Sequence, residues 1–272
     1  KGVAIWQPKT LDYTILTTQN GLPNNNVQSI LEDTWGNIWL GTSGGGLSKY
    51  SGQQFEHFNE TNELKGNYIQ AIAEGKNQEL WVATSNNGIQ TYKNERFENF
   101  GENSDLLNTS CQALFKDQFN HLWIGTSDKG LTVFLDSLFL TFTKENGLSS
   151  NNISTIKGDN FGNIWVASNN RGLTKIEWND SIPSQSKLTT FSTQNGLVNE
   201  FINTLHIDLQ NRVWIGTNKG IALLEKDTIT KNFTSPKLKE NNIDNSKIID
   251  SLDPQIITDL ILSPIFGIKD LK

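Results

Sequence analysis

Short apolar runs and polar turns alternate along this chain with a fixed rhythm. VQSILED (27–33), IQAIAEG (69–75) and ISTIKGD (153–159) alternate loosely and are rich in β-branched residues, which predicts short strands. A polar turn follows each, then a second run: NIWLGTS (37–43), ELWVATS (79–85), HLWIGTS (121–127), NIWVASN (163–169) and RVWIGTN (212–218). A third run enters through glycine, as GLSKY (46–50), GIQTY (88–92), GLTVF (130–134) and GLTKI (172–176). FEHF (55–58), FENF (97–100), FLTF (139–142) and LTTF (188–191) form a fourth, one hairpin later.

The repeated tryptophans, Trp39, Trp81, Trp123, Trp165 and Trp214, are spaced by 42, 42, 42 and 49 residues. Val27, Ile69, Cys111, Ile153 and Ile202 stand twelve positions before them. Six before comes Asp33, Gly75, Asp117, Asp159 or Asp208, and three before comes Gly36, Gln78, Asn120, Gly162 or Asn211. Aspartate caps a tight turn through its backbone N–H groups, and Gly or Asn takes the position with φ > 0. The tryptophan is the packing residue of its strand, and Gly or Ala two positions later, on the same face, leaves room for a neighbouring sheet. Four short antiparallel strands per period of about 42 residues predict an all-β chain of β-propeller blades. The expected units are a partial blade over 1–16, then 17–58, 59–100, 101–142, 143–191 and 192–235. An insertion, WNDSIPSQSK (178–187), lengthens one outer hairpin.

KGVAIW (1–6) superposes on KGIALL (219–224), so the chain opens at a third strand, expected to pair with the strand near 13–16. Six third strands therefore face five tryptophan strands. Either upstream sequence supplies the missing half-blade, as in a segment of a larger propeller, or the tail over 236–272 closes the ring. That tail lacks tryptophan and has one strand-like run, QIITDLIL (255–262).

Composition narrows the function. The net charge of −6 argues against nucleic acid and anionic membranes as partners, since both require a basic face. No apolar run is long enough to span a bilayer, and no signal-peptide pattern opens the chain. Cys111, the one cysteine, stands in a column otherwise held by Val or Ile and reads as a buried structural thiol.

The column pattern, seen most fully in GLSSNNISTIKGDNFGNIWVASNNRGL (147–173), resembles the two-component regulator propeller repeat over about residues 1–235. Members are typically extracytoplasmic sensor halves of hybrid histidine kinases. The resemblance implies a periplasmic or extracellular location, an oligosaccharide ligand, and an immunoglobulin-like domain and kinase portion on the C-terminal side. DPQIITDLILS (253–263) is weakly similar to the entry strand of that sandwich domain. Gly75 and Gln78 depart from the turn pattern.

Catalytic chemistry finds little support. His57, His121 and His206 neither repeat nor pair, and no spacing suits a metal, so no cofactor is expected. His206 reads as a core or channel-lining residue. Streptogramin-type lyases are similar propellers, but where their strand carries Glu this chain has Ser43, Ser85, Ser127, Asn169 and Asn218. Binding is the better class. The loop into each first strand and the loop between second and third strands share one face of a blade, and both are rich in Asn, which suits a neutral, hydroxyl-rich ligand. Asn is also the ordinary loop residue, so residues that break the column pattern are the better candidates: Tyr68, Lys129, Arg171, Glu200, Phe201 and Lys219. Trp35, Phe119 and Phe161, on the opposite face, suit packing over the neighbouring hairpin better than a contact patch. A protein-contact scaffold is the rival function, and a homodimer stays open.

Overall fold

The computed structural model describes residues 2–7, 12–52, 54–75, 77–101, 106 and 109–234. The tail over 236–272, with its closing or entry strand, lies outside the described residues. Among the described residues the strands form one two-stranded and five four-stranded antiparallel sheets, a partial β-propeller. No helix among them is long and apolar enough to cross a membrane.

The two-stranded sheet pairs β1 (Val3–Gln7) with β2 (Asp12–Leu16), Val3 opposite Leu16, as the repeat requires. The first full blade is β3 (Val27–Glu32), β4 (Ile38–Thr42), β5 (Leu47–Tyr50) and β6 (Phe55–Phe58). The second is β7 (Ile69–Glu74), β8 (Leu80–Thr84), β9 (Ile89–Lys93) and β10 (Arg96–Phe100). The third is β11 (Cys111–Lys116), β12 (Leu122–Thr126), β13 (Leu131–Leu135) and β14 (Leu138–Phe142). The fourth is β15 (Ile153–Gly158), β16 (Ile164–Ser168), β17 (Gly172–Glu177) and β18 (Lys187–Phe191), with the insertion between the last two. The fifth is β19 (Ile202–Ile207), β20 (Val213–Thr217), β21 (Gly220–Glu225) and β22 (Thr228–Thr234). Each blade's strands pair in sequence order.

The chain divides into two compact units, Lys1–Leu140 and Thr141–Lys272. In the first, Trp39 packs with Phe58 of its own blade and Ile69, Ile72 and Val82 of the next. Trp81 and Ala83 do the same against Cys111, Leu122 and Ile124. In the second unit Trp165 and Ala167 meet Ile202, Leu205, Val213 and Ile215. Alternate residues of each tryptophan strand thus face opposite neighbours: Trp81 looks forward and Val82 back. The small column has a direct cause, because a Cβ on Gly41 would stand 2.5 Å from Ile69 Cγ2 of the adjoining blade. In the second unit Lys175 lies over the Trp165 ring and holds Asp227 of the next blade at 2.9 Å, clamping the two sheets.

Candidate ligand-binding face

The turn between the first and second strands is built on one carboxylate. Asp33 Oδ1 accepts the N–H groups of Trp35 and Asn37, and Oδ2 accepts the Asn37 amide and the Trp39 indole, both at 2.8 Å. Asp117, Asp159 and Asp208 repeat this, with His121, Asn163 and Arg212 in the place of Asn37 and the indoles of Trp123, Trp165 and Trp214 bound alike. The indole bond explains why Asp and Trp recur six residues apart. Burial pushes the Asp33 carboxyl upward, but the bonds from Asn37, Trp39 and Trp35 outweigh it and hold it below the usual carboxylate range. Asp208 is held low in the same way by Trp214 and Arg212. These carboxylates are structural. In the second blade Gly75 brings no carboxylate, and the Glu79 side chain folds back over it to accept the Asn77 N–H. Gln78 there takes φ 63°, the left-handed conformation held elsewhere by Gly or Asn.

Trp35, Phe119 and Phe161 crown these turns. The packing expectation for them fails: they are 65%, 47% and 77% exposed. They stand two residues past the aspartate, at the tip of a turn whose backbone is tied inward, so the side chain is carried outward.

At the other end of each blade the two polar loops interlock. The residue before each first strand accepts a backbone bond from the loop after the second strand: Asn26 from Ser43, Tyr68 from Ser85, Ser110 from Ser127, Asn152 from Asn169 and Phe201 from Asn218. Blades are tied here too, through Gly46 N–H to Asn67 C=O, Gly88 N–H to Thr109 C=O, and Gly172 N–H to Glu200 C=O. Thr42, Thr84, Thr126 and Thr217 brace the loop, each hydroxyl donating to the carbonyl of Gly46, Gly88, Gly130 or Gly220.

Most of the asparagines are consumed by this scaffold. Asn20, Asn62, Asn146 and Asn195 each accept the N–H three residues earlier. Asn25, Asn67 and Asn151 each accept the N–H seven residues earlier. Glu200 belongs to that second column: its Oε1 accepts the N–H and hydroxyl of Thr193. Glu200 breaks the pattern in identity and keeps it in role, so its carboxylate serves the loop.

The other candidates stay outward. Tyr68 and Phe201 occupy the same column and are 55% and 40% exposed. Lys129, Arg171 and Lys219 are exposed, each in its blade's loop after the second strand. Backbone bonds bring Arg171, Phe201 and Lys219 into one layer of the second unit; Tyr68 and Lys129 lie in the first.

One feature escaped the sequence reading. Every first strand slips register by one residue, leaving Gln28, Gln70, Gln112, Ser154 and Asn203 as the extra residue of a β-bulge beside the loop layer. Bulges re-aim side chains. Here Gln70 reaches the Ser85 hydroxyl and Asn203 the Asn218 amide. The signal was present in VQSI, IQAI, CQAL, ISTI and INTL, where apolar residues stand three apart and not two.

His57 bonds Ser48, His121 bonds Asp117, and His206 is buried opposite Trp214 in the strand pairing, so the three histidines occupy separate settings. His206 is a core residue. Burial, aided by Asp128, pushes the Cys111 thiol up to about 12, as a structural cysteine requires. Among the described residues no group of His, Cys, Asp and Glu could hold a metal ion.

A model of the two component regulator propeller matches residues 21–44, 63–86 and 147–170. Among solved structures, the chain is similar to the extracellular domain of a hybrid two component system from B. thetaiotaomicron, with 22% identity, TM-score 0.63, and coverage of 77% of this chain and 31% of that one. It is also similar to PorZ of Porphyromonas gingivalis, a surface component of the type-IX secretion system (14% identity, TM-score 0.59, 79% and 35% covered). Virginiamycin B lyase from Staphylococcus aureus is a third (14% identity, TM-score 0.62, 81% and 73% covered). The chain spans about a third of the length of the two component extracellular domain it matches. No curated protein matches it.

Proposed function

We propose, from the premise that these are two component regulator propeller repeats, that the protein is a non-catalytic sensor segment working outside the cytoplasm. Its ligand is an oligosaccharide, held on the loop layer and bulge row. One observation carries this reading. After the scaffold has used its asparagines, aromatic rings and long polar side chains remain outward on that layer. Such side chains suit sugar recognition, because a ring stacks on the apolar face of a pyranose and amides bond its hydroxyls. Blades fixed by buried tryptophans give the rigid support on which binding loops are usually carried. A response then requires that ligand binding favour one of two arrangements of the propeller on its C-terminal partner, an immunoglobulin-like or kinase portion.

Calorimetry with a panel of plant and host oligosaccharides tests it. At least one is expected to bind, and either Tyr68→Ala in the first unit or Arg171→Ala with Phe201→Ala in the second should weaken the best ligand by about tenfold or more. Unchanged affinity in both the single and the double variant would move the site elsewhere.

A scaffold role is the second reading, favoured by the outward Trp35, Phe119 and Phe161 and by the likeness to PorZ. Capture of a protein partner through those turns, with no saccharide bound, would select it.

A further inference from the structure

We infer that the loop layer of the second unit takes an acidic saccharide, one bearing a carboxylate or sulfate, and not a neutral one. This deepens the reading above and rests on it. Arg171 stands beside Gly172, whose N–H bonds the Glu200 carbonyl; Phe201 follows, and its own carbonyl accepts the N–H of Asn218, the neighbour of Lys219. Two cationic residues from adjacent blades therefore stand on segments bonded through their backbones to the one that carries the exposed Phe201. Neither Arg171 nor Lys219 is in an ion pair among the described residues.

The arrangement runs against the molecule's charge. The chain carries −6 overall, and in this unit Asp159 and Asp208 lie at the turns of the opposite end. Glu177, Asp180, Glu225 and Asp227 lie at or beside the outer hairpins of that same end. Two of those hairpin carboxylates are engaged by Lys175. On the loop layer itself the nearby acid, Glu200, is turned to Thr193, and Glu145 is matched by Lys144 beside it in sequence. Glu200 keeps its charge while bonded to the neutral N–H and hydroxyl of Thr193, so Arg171 and Lys219 leave the layer a net excess of one positive charge.

Arginine's planar fork matches a carboxylate or sulfate through paired hydrogen bonds, and a lysine ammonium adds a point charge. Phe201 offers the face on which the sugar ring stacks. Asn203, in the bulge position, and Asn218 form an amide pair at 2.9 Å beside it, with donors and acceptors for ring hydroxyls. Asn152, in the column of Phe201 one blade earlier, has a buried side-chain oxygen with no hydrogen-bond partner among the described residues.

Calorimetry on the protein with trigalacturonate and with its methyl ester is the test, since esterification removes the charges and adds only a methyl group at each carboxyl. A sulfated chondroitin-type disaccharide and its desulfated form, which keeps the uronate carboxylate, make the second arm, and a loss of affinity on desulfation points to sulfate. In one of the two pairs the more charged member is expected to bind about tenfold or more tighter than its partner, and Arg171→Ala to remove most of that difference. Arg171→Lys should keep part of it, and binding should weaken as ionic strength rises from about 0.01 to about 0.15 M. Neutral and charged sugars bound equally, with Phe201→Ala still damaging, would overturn the charge preference and leave the saccharide reading intact. No sugar bound by the protein at all would sink both.

Discussion

At the scale of residues, the aspartate of each regular turn answers four donors with two oxygens, and this makes acid its weakness. Asp33 and Asp208 have folded-state pKa values below those of the unfolded chain. A group depressed by folding stabilises above its unfolded pKa, about 3.9 for aspartate, and that contribution is lost as pH falls through the folded value. Thermal unfolding followed from about pH 6 to about pH 2 is therefore expected to hold steady down to about pH 4 and then fall. Asp33→Asn and Asp208→Asn should start lower and lose less over the acid limb. An acid limb as steep in both variants as in the parent would show that these carboxylates do not carry it.

At the scale of elements, the second blade is the informative exception. Its turn lacks the aspartate, and Glu79 fills the space a Cβ at Gly75 would take, 2.3 Å from the Glu79 Oε1. Gly75→Asp alone places two carboxylates in one turn, and Glu79→Asn alone strips the bond to Asn77. Together they rebuild the arrangement of the fourth blade, in which the aspartate is answered by an asparagine. The double variant should be more stable than the sum of the singles by about 1 kcal/mol or more in denaturant unfolding, the scale expected of residues in contact. Additive effects would mean the two positions do not share one site. Elsewhere the elements differ little, because the threonine brace and the inter-blade glycine bonds recur where the loops have the same length.

At the scale of the molecule, Trp39, Trp81 and Trp165 each serve two blades, so stability and site geometry are linked within a unit. Trp165 is 3% exposed between the fourth and fifth blades, packed at a tilt against Phe191 and covered by Lys175. Trp165→Ala should cost about 3–5 kcal/mol. It should also weaken any ligand held by Arg171 and Phe201, which belong to the two blades it joins. Calorimetry beside thermal unfolding measures both, and a large stability loss with unchanged affinity would mean that the loop bonds alone hold the layer. Repeat proteins behave this way in general, each unit leaning on its neighbours for its core.

The blades were legible in the sequence because period and alternation are local properties. The spacing of Trp39, Trp81 and Trp123, the turn residues before them and the small residue after them each answer to geometry within a few positions. The outward Tyr68, Phe201 and Arg171 were legible for a weaker reason, that they interrupt a repeated column. Tertiary structure decided the rest. Which asparagines are spent on backbone bonds depends on how each loop closes between blades, since only the closed loop brings partners three to seven residues apart together. The same holds for Glu200, whose work as a loop brace has no mark in its identity. Trp35, Phe119 and Phe161 could be read as packing until the turn geometry carried them outward. The grouping of Arg171 with Phe201 and Lys219 arises only where two blades meet, since the hydrogen bonds that join them cross between repeats.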